Sequence, residues 1–439
     1  MLRAAAPPTP DPNPMKALVF LRHYNDIDHV TPIIDKWQQV GHDCDVILLA
    51  DTTATQDYRI RHLATLEQVR VVHLRDIVSP RDFRRYRLLT RLATHMERQR
   101  AYAVAARALG YGPHGRLAFW KRLSIQLFDY AFAGRRDGVV AFDWVSRNTG
   151  VAMEWVRVFV ELTHDHGMRA VSLPHGDSPH ANKMIRENEL SPSADTTFAN
   201  ADIFDSVAVP NQLCAERFVP HMAKEKIAVL GSPRYCDEWL GRLPTLLPPS
   251  PLSGTRQGLQ VVMFLRKRNF TSFWEEIAIV ARMIARFPGT ELIIKEHTRS
   301  GWKQPLAQDT HLRRLRQVRV VGDEVHSAHL LDWADVVVDI ATSVSFEAVK
   351  RNIPVLAADY LHAGLSTVAR LIPETLMQCR DDVWHAIDGF VRNGTDGFYD
   401  EDHRRRFIDE IIDVPDADVL PRYVALLVGA RAQTGGATP

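Results

Sequence analysis

Along this chain, short runs of β-branched and other apolar residues alternate with stretches in which apolar residues recur every three or four positions. The runs predict strands at Ala17–Leu21, Val46–Leu49, Val69–Leu74, Val139–Phe142, Ala170–Leu173, Ser206–Val209 and Ile227–Leu230. A second series follows at Leu259–Leu265, Glu291–Ile294, Val318–Val321, Asp335–Asp339 and Ile353–Ala357. Between them lie helical patterns. One covers Thr149–His166, with Val151, Trp155, Val158, Phe159 and Leu162 at helical spacing. Another places Phe273, Ile277, Val280, Ile284 and Phe287 on one face. Val336–Val338 is apolar without interruption, as a parallel strand covered on both faces requires. Strand–helix alternation of this kind predicts an α/β fold of two doubly wound domains.

Leu243–Gly258 is the most loop-like internal stretch, with four prolines and two glycines. It divides the chain into an N-terminal domain, 15–242, and a C-terminal domain, 259–432, joined by a linker, 243–258. The first fourteen residues hold five prolines and no apolar core, which predicts a disordered leader rather than a secretory signal. Residues 433–439 are expected to be a disordered tail. The chain's 439 residues suffice for two cores.

Composition narrows the classes. Apolar content of 46% and charged content of 24% are those of a globular protein, and a net charge of +1 gives no overall nucleic-acid character. No apolar run approaches the ~18 residues of a transmembrane helix. Cys44, Cys214, Cys236 and Cys379 are widely spaced, which points to reduced thiols in a cytoplasmic protein. One segment departs from the average: Arg81–Arg122 carries eleven Lys/Arg against Asp82 and Glu97, interleaved with Phe83, Tyr86, Leu89, Tyr102, Phe119 and Trp120. Basic amphipathic helices of this kind lie on anionic lipid, form the solvated face of ordinary helices, or grip an anionic acceptor.

Candidate chemistry gathers where strands end. The chain lacks the glycine-rich dinucleotide and P-loop signatures and the nucleophile elbow. His164-Asp165-His166 has a metal-like composition but ends a helix, where histidines meet terminal carbonyls, and no metal site is expected. His175, in Pro174-His175-Gly176 directly after a strand, is a candidate base for an acceptor hydroxyl or a turn-shaping residue. Asp143 is a second candidate base or the group that orients His175. Lys295, His297 and Arg299 end another strand and offer donors to a diphosphate, or a salt-bridged strand end with Glu296. Arg268, among Arg266–Asn269, and Arg234, in Gly231-Ser232-Pro233-Arg234, are further cations suited to phosphate. Thr342, Ser343 and Ser345 bring hydroxyls to a helix start after a buried strand, with Glu347 in the first turn. That arrangement suits a nucleotide diphosphate and is also how ordinary helices are capped.

In order, PHG, GSPR, a proline-rich linker, KEHT and D-x-x-T-S-V-S-F-E-A followed by I-P-V-L resemble the GT-B superfamily of nucleotide-sugar enzymes. The pattern looks closest to the CDP-glycerol glycerophosphotransferase and capsule-polysaccharide transferase group, with the UDP-N-acetylglucosamine 2-epimerases as a neighbouring branch. The resemblance covers roughly 170–358. It implies two Rossmann-like domains facing a central cleft. It also implies a metal-independent, cofactor-free transfer of a sugar or polyol phosphate from a nucleotide-activated donor to a surface-glycan or lipid-linked acceptor. His175 matches the motif histidine proposed as base, and His297 the one that contacts donor phosphate. Thr342, Ser343 and Ser345 fall on the hydroxyl cluster at those phosphates, and Glu347 on the acidic residue near the ribose. Thr298 stands where the group has proline, and Ile340-Ala341 where it has Tyr-Ser or Ser-Ser. The resemblance leaves two rival expectations: a nucleotide-sugar 2-epimerase, against which the lack of a dense acidic constellation in the N-terminal half counts, and a catalytically silent binding protein. It places the protein in the cytoplasm, with Arg81–Arg122 available to the inner face of a membrane.

Overall fold

The computed structural model describes residues 14–22, 24–49, 57–96, 104, 107–108, 110–144, 152–176, 198–252, 258–266, 272–297, 309–362, 366–414 and 418–429. These divide into two compact units: the described residues up to 176 with 198–247 and 413–429, and residues 248–412.

The first unit is built on a seven-stranded parallel sheet. Its strands are β1 (Lys16–Leu21), β2 (Asp43–Leu48), β3 (Val69–His73), β4 (Gly138–Asp143), β5 (Arg169–Leu173), β6 (Ser206–Val209) and β7 (Ile227–Val229), in the order β3-β2-β1-β4-β5-β6-β7. Successive side chains go to opposite faces. Leu18 and Phe20 of β1 and Val140 and Phe142 of β4 join one core, while Ala17, Val19, Val139 and Ala141 join the other. Both faces are therefore covered, which is why these strands read as unbroken apolar runs.

The second unit has five parallel strands: β8 (Leu259–Phe264), β9 (Thr290–Lys295), β10 (Val318–Val321), β11 (Val336–Asp339) and β12 (Val355–Ala357), in the order β10-β9-β8-β11-β12. In each sheet the chain winds outward one way and then returns to wind the other. The reversal falls between β1 and β4 in the first sheet and between β8 and β11 in the second. Such reversals leave a crevice at the carboxyl ends of the two strands.

All twelve expected strands form, and three helices differ from what the sequence predicts. The helix Trp274–Ile284 buries Ile277, Val280 and Ile284, but Phe273 precedes it and is exposed. A helix, Asp237–Leu246, runs through Pro244 into the stretch read as linker. The apolar helix Val419–Val428, assigned by sequence order to the second domain, packs in the first unit. Its Val419, Leu420, Tyr423 and Leu427 enter the core with Val19 and Val139, and Tyr423 Oη donates to the Gly231 carbonyl at 2.8 Å. In the basic segment, the helices Pro80–Met96 and Pro113–Phe132 turn Tyr86, Leu89, Phe119 and Trp120 into the core. Those aromatics are packing residues, and Tyr102 lies outside the described residues. Among the described residues, no helix is long and apolar enough to cross a membrane.

Candidate functional site

The first unit gathers charge at its strand reversal. Parallel registers set Phe20 beside Phe142 and Asp143 beside Leu173, so the carboxyl ends of β1, β4 and β5 lie side by side. Arg22 follows β1, Asp26 sits in the first turn of the helix Tyr24–Gln39, Asp143 ends β4, and His175 follows β5. The Arg22 guanidinium grips both oxygens of the buried Asp143 carboxylate, with Nε donating to Oδ1 at 2.9 Å, and the Arg22 backbone N–H donates to Asp26. His175 Nδ1 donates to Asp143 Oδ2 at 2.8 Å and lies 3.4 Å from Asp26 Oδ1. Its Nε2 has no partner among the described residues, and the side chain keeps 28% of its surface exposed.

Two cations and two carboxylates thus share one site. Burial opposes the imidazolium's charge, but hydrogen bonds to Asp143 and Asp26 and their negative charge outweigh it and raise His175 to about 9. His29, on the same helix as Asp26, is shifted the other way. Burial comes first, then the charges of Arg234 and His175, holding it well below the usual histidine range. Asp26, Asp143 and His175 offer ligand atoms within 4.8 Å of one another, a spacing that a divalent cation accepts. Both Asp143 oxygens already accept from Arg22, however, so a cation would first have to displace the guanidinium. The residues fit a carboxylate-oriented histidine better than a metal centre.

Arg234 belongs to this unit too. It pairs with Asp28 at 3.3 Å, stacks over Tyr235 at 4.9 Å, and acts electrostatically on His29. Asp28 also pairs with Arg59, which Asp57 holds in turn. The sequence reading does not single out Arg22, Asp26, Asp28, His29 or Arg59. A signal for them exists: Arg22 through His29 is a charged run directly after the first strand, the same position that marks Asp143 and His175.

In the second unit, registers set Phe264 beside both Lys295 and Asp339, and Asp339 beside Ala357. Lys295, Asp339 and the turn Ile340–Ser343 therefore lie at the carboxyl end of the sheet's central strands. Asp339 Oδ1 accepts from the Thr342 N–H at 2.9 Å and from its hydroxyl at 2.7 Å. The Ser345 hydroxyl donates to the Thr342 carbonyl at 2.6 Å. Burial pushes Asp339 up to about 6, against the hydrogen bonds from Thr342.

The hydroxyl group divides under this geometry. Thr342 and Ser345 are buried and spend their protons on the turn, while Ser343, just before the helix Val344–Lys350, is half-buried. Glu347 is buried and pairs with Arg351 at 2.6 Å. Lys295 is buried and donates to the Gly322 carbonyl; burial lowers its pKa despite Asp323, Glu324 and Glu296. His297 is half-buried at the same strand end. Arg268 and Arg299 lie outside the described residues.

The turn carries backbone strain. Ala341 has φ +53° and is almost fully buried, a conformation that costs an L-residue roughly 1–2 kcal/mol. Strain of this kind collects at ligand-binding turns. Ala341→Gly is expected to change stability by less than about 1 kcal/mol, because relief of the strain offsets the greater chain entropy of glycine. Ala341→Val brings a β-branched side chain into conflict with both the left-handed backbone and the packed surroundings, at about 2–3 kcal/mol. Chemical denaturation of the two variants checks the difference.

The remaining motif, His164-Asp165-His166, closes the helix Met153–Asp165: His166 Nδ1 donates to the Leu162 carbonyl at 2.8 Å, and His164 pairs with Asp205 at 2.9 Å.

Compared with solved structures, the chain is similar to the UDP-GlcNAc 2-epimerase of Neisseria meningitidis bound to UDP-GlcNAc. That match has a TM-score of 0.55 and 9% identity, over 95% of this chain and 99% of the other. It is similar to the UDP-N-acetylglucosamine 2-epimerase of Rickettsia bellii, with a TM-score of 0.56 and 10% identity over 95% and 97%. It is also similar to Anabaena HepE in complex with UDP and glucose, with a TM-score of 0.52 and 14% identity over 94% and 98%. No protein-family model and no curated protein sequence matches the chain. At these identities the likeness is one of fold: two parallel α/β sheets of the GT-B-like kind.

Proposed function

We propose that this protein is a GT-B-type transferase that moves a sugar or polyol phosphate from a nucleotide-activated donor to a hydroxyl of a surface-glycan or lipid-linked acceptor. The observation that carries the reading is the His175–Asp143–Arg22–Asp26 constellation at the strand reversal of the first sheet. Asp143 fixes the imidazole through Nδ1, so that Nε2 is presented to an acceptor hydroxyl. Arg22 holds Asp143 in place and offsets its charge. In the second unit, His297, Ser343 and the backbone of the strained turn after β11 are the groups assigned to the donor's phosphates. Ser345, which closes that turn, and Glu347, which pairs with Arg351, are both buried and are assigned no ligand contact. The fold likeness to proteins solved with UDP, UDP-GlcNAc or UDP and glucose supports a nucleotide-activated ligand. The closer kinship with CDP-glycerol and capsule transferases rests on the order of the sequence motifs.

The second reading, a nucleotide-sugar 2-epimerase, gains from one observation. Asp26 joins Asp143 beside His175, so the first unit has more acid–base groups in one place than its sequence suggests. Incubation with a donor alone separates the two. The transferase leaves the sugar's configuration unchanged without acceptor and transfers it when a polyol or glycan acceptor is added. Epimerised sugar formed from donor alone would replace the transferase reading.

A further inference from the structure

The basic segment has an outward face that the proposed chemistry does not use. The helix Pro113–Phe132 buries Phe119, Trp120, Leu123, Leu127, Phe128 and Phe132, and over its earlier turns Leu117, Lys121 and Ile125, at successive four-residue steps, are exposed. Leu117 keeps 43% and Ile125 49% of its surface exposed. The helix Pro80–Met96 lies alongside, tied by the Arg122–Asp82 pair at 2.8 Å and by the contact of the Tyr86 and Trp120 rings at 6.3 Å. Its exposed positions include Arg84, Arg91 and Leu88, the last 38% exposed. No ion pair engages Arg84, Arg91 or Lys121 among the described residues. Single exposed leucines are ordinary on a protein surface. Here three large apolar side chains share two neighbouring helices with three exposed cations that pair with no carboxylate among the described residues.

We propose that this two-helix face docks on an anionic lipid bilayer, with Arg84, Arg91 and Lys121 at the headgroup phosphates and Leu88, Leu117 and Ile125 entering the boundary with the acyl chains. Charge complementarity selects an anionic surface, and the exposed apolar side chains favour lipid over nucleic acid. The inference does not depend on the transferase reading, because docking needs neither donor nor His175.

The test is co-sedimentation of the full chain with vesicles of phosphatidylcholine alone and of phosphatidylcholine with phosphatidylglycerol, without nucleotide. Binding is expected only to the phosphatidylglycerol vesicles. Arg84→Gln and Arg91→Gln are each expected to lower the partition coefficient about fivefold. Leu117→Ser with Ile125→Ser should remove the fraction that stays bound at high salt. All four positions are exposed, so an unchanged thermal transition shows that the variants fold. Equal binding to both vesicles, binding to neither, or retention of a nucleic-acid duplex without retention of vesicles would each overturn the proposal.

Discussion

Exchanging Arg22 for methionine is expected to destabilise the first unit by about 3–5 kcal/mol, the cost of breaking a buried ion pair from one side. The guanidinium and the Asp143 carboxylate are both buried and meet through two hydrogen bonds. Removing Arg22 leaves Asp143 and Asp26 buried beside a single remaining cation, His175. Urea denaturation followed in the Arg22→Met, Asp143→Asn and double variants measures the pair directly. The double variant should be more stable than the sum of the single effects predicts, by about 1–3 kcal/mol. Strict additivity would mean that the two residues act independently and that Arg22 does not hold Asp143.

Replacing His175 with alanine is expected to lower kcat by about 10²–10⁴-fold, the usual contribution of a positioned acid–base group, with donor affinity kept. The pH dependence is more diagnostic. With its folded pKa raised from 6.5 to about 9, His175 is protonated at neutral pH. A base must lose that proton first, so activity should rise with pH and level off above about 9. Asp143→Asn removes a hydrogen-bond acceptor and a charge that raise the value, and should move the rise to lower pH. Activity that falls through pH 9 instead would make His175 an acid. The same shift sets a stability trend. A histidine whose pKa is raised on folding contributes stability that is fully present below 6.5 and is lost as pH rises through about 9. Part of the ring faces solvent, so the contribution is about 2 kcal/mol rather than the full value of the shift.

How much of this is legible in the sequence follows from where the information lies. Parallel strands buried on both faces must be apolar throughout, so β1, β4 and β11 announce themselves. Residues at the carboxyl ends of such strands can be found by position alone, which locates Asp143 at the end of β4, His175 after β5 and Lys295 at the end of β9. Position does not give direction. Thr342 and Ser345 sit at the expected turn but direct their hydroxyls into it, and Glu347 faces Arg351, because rotation of the helix Val344–Lys350 is set by Phe346 and Val349 entering the core. Arg22 and Asp26 carry the same positional signal after β1, but the sequence does not show what they meet. Asp143, the partner of Arg22, and His175, which lies beside Asp26, are more than a hundred residues away, and only the return of β4 and β5 beyond β1 brings them together. Helix Val419–Val428 shows the same limit, since adjacency in sequence assigns it to the wrong side of the chain.

The most direct measurement is calorimetric titration of UDP and CDP into the protein and its His297→Ala and His175→Ala variants. The expected result is that one nucleoside diphosphate binds the unmodified protein, that His297→Ala weakens it at least about tenfold by removing a hydrogen bond to charged phosphate, and that His175→Ala leaves it unchanged. Failure of both nucleotides to bind, or equal affinity in His297→Ala, would contradict a donor site in the second unit.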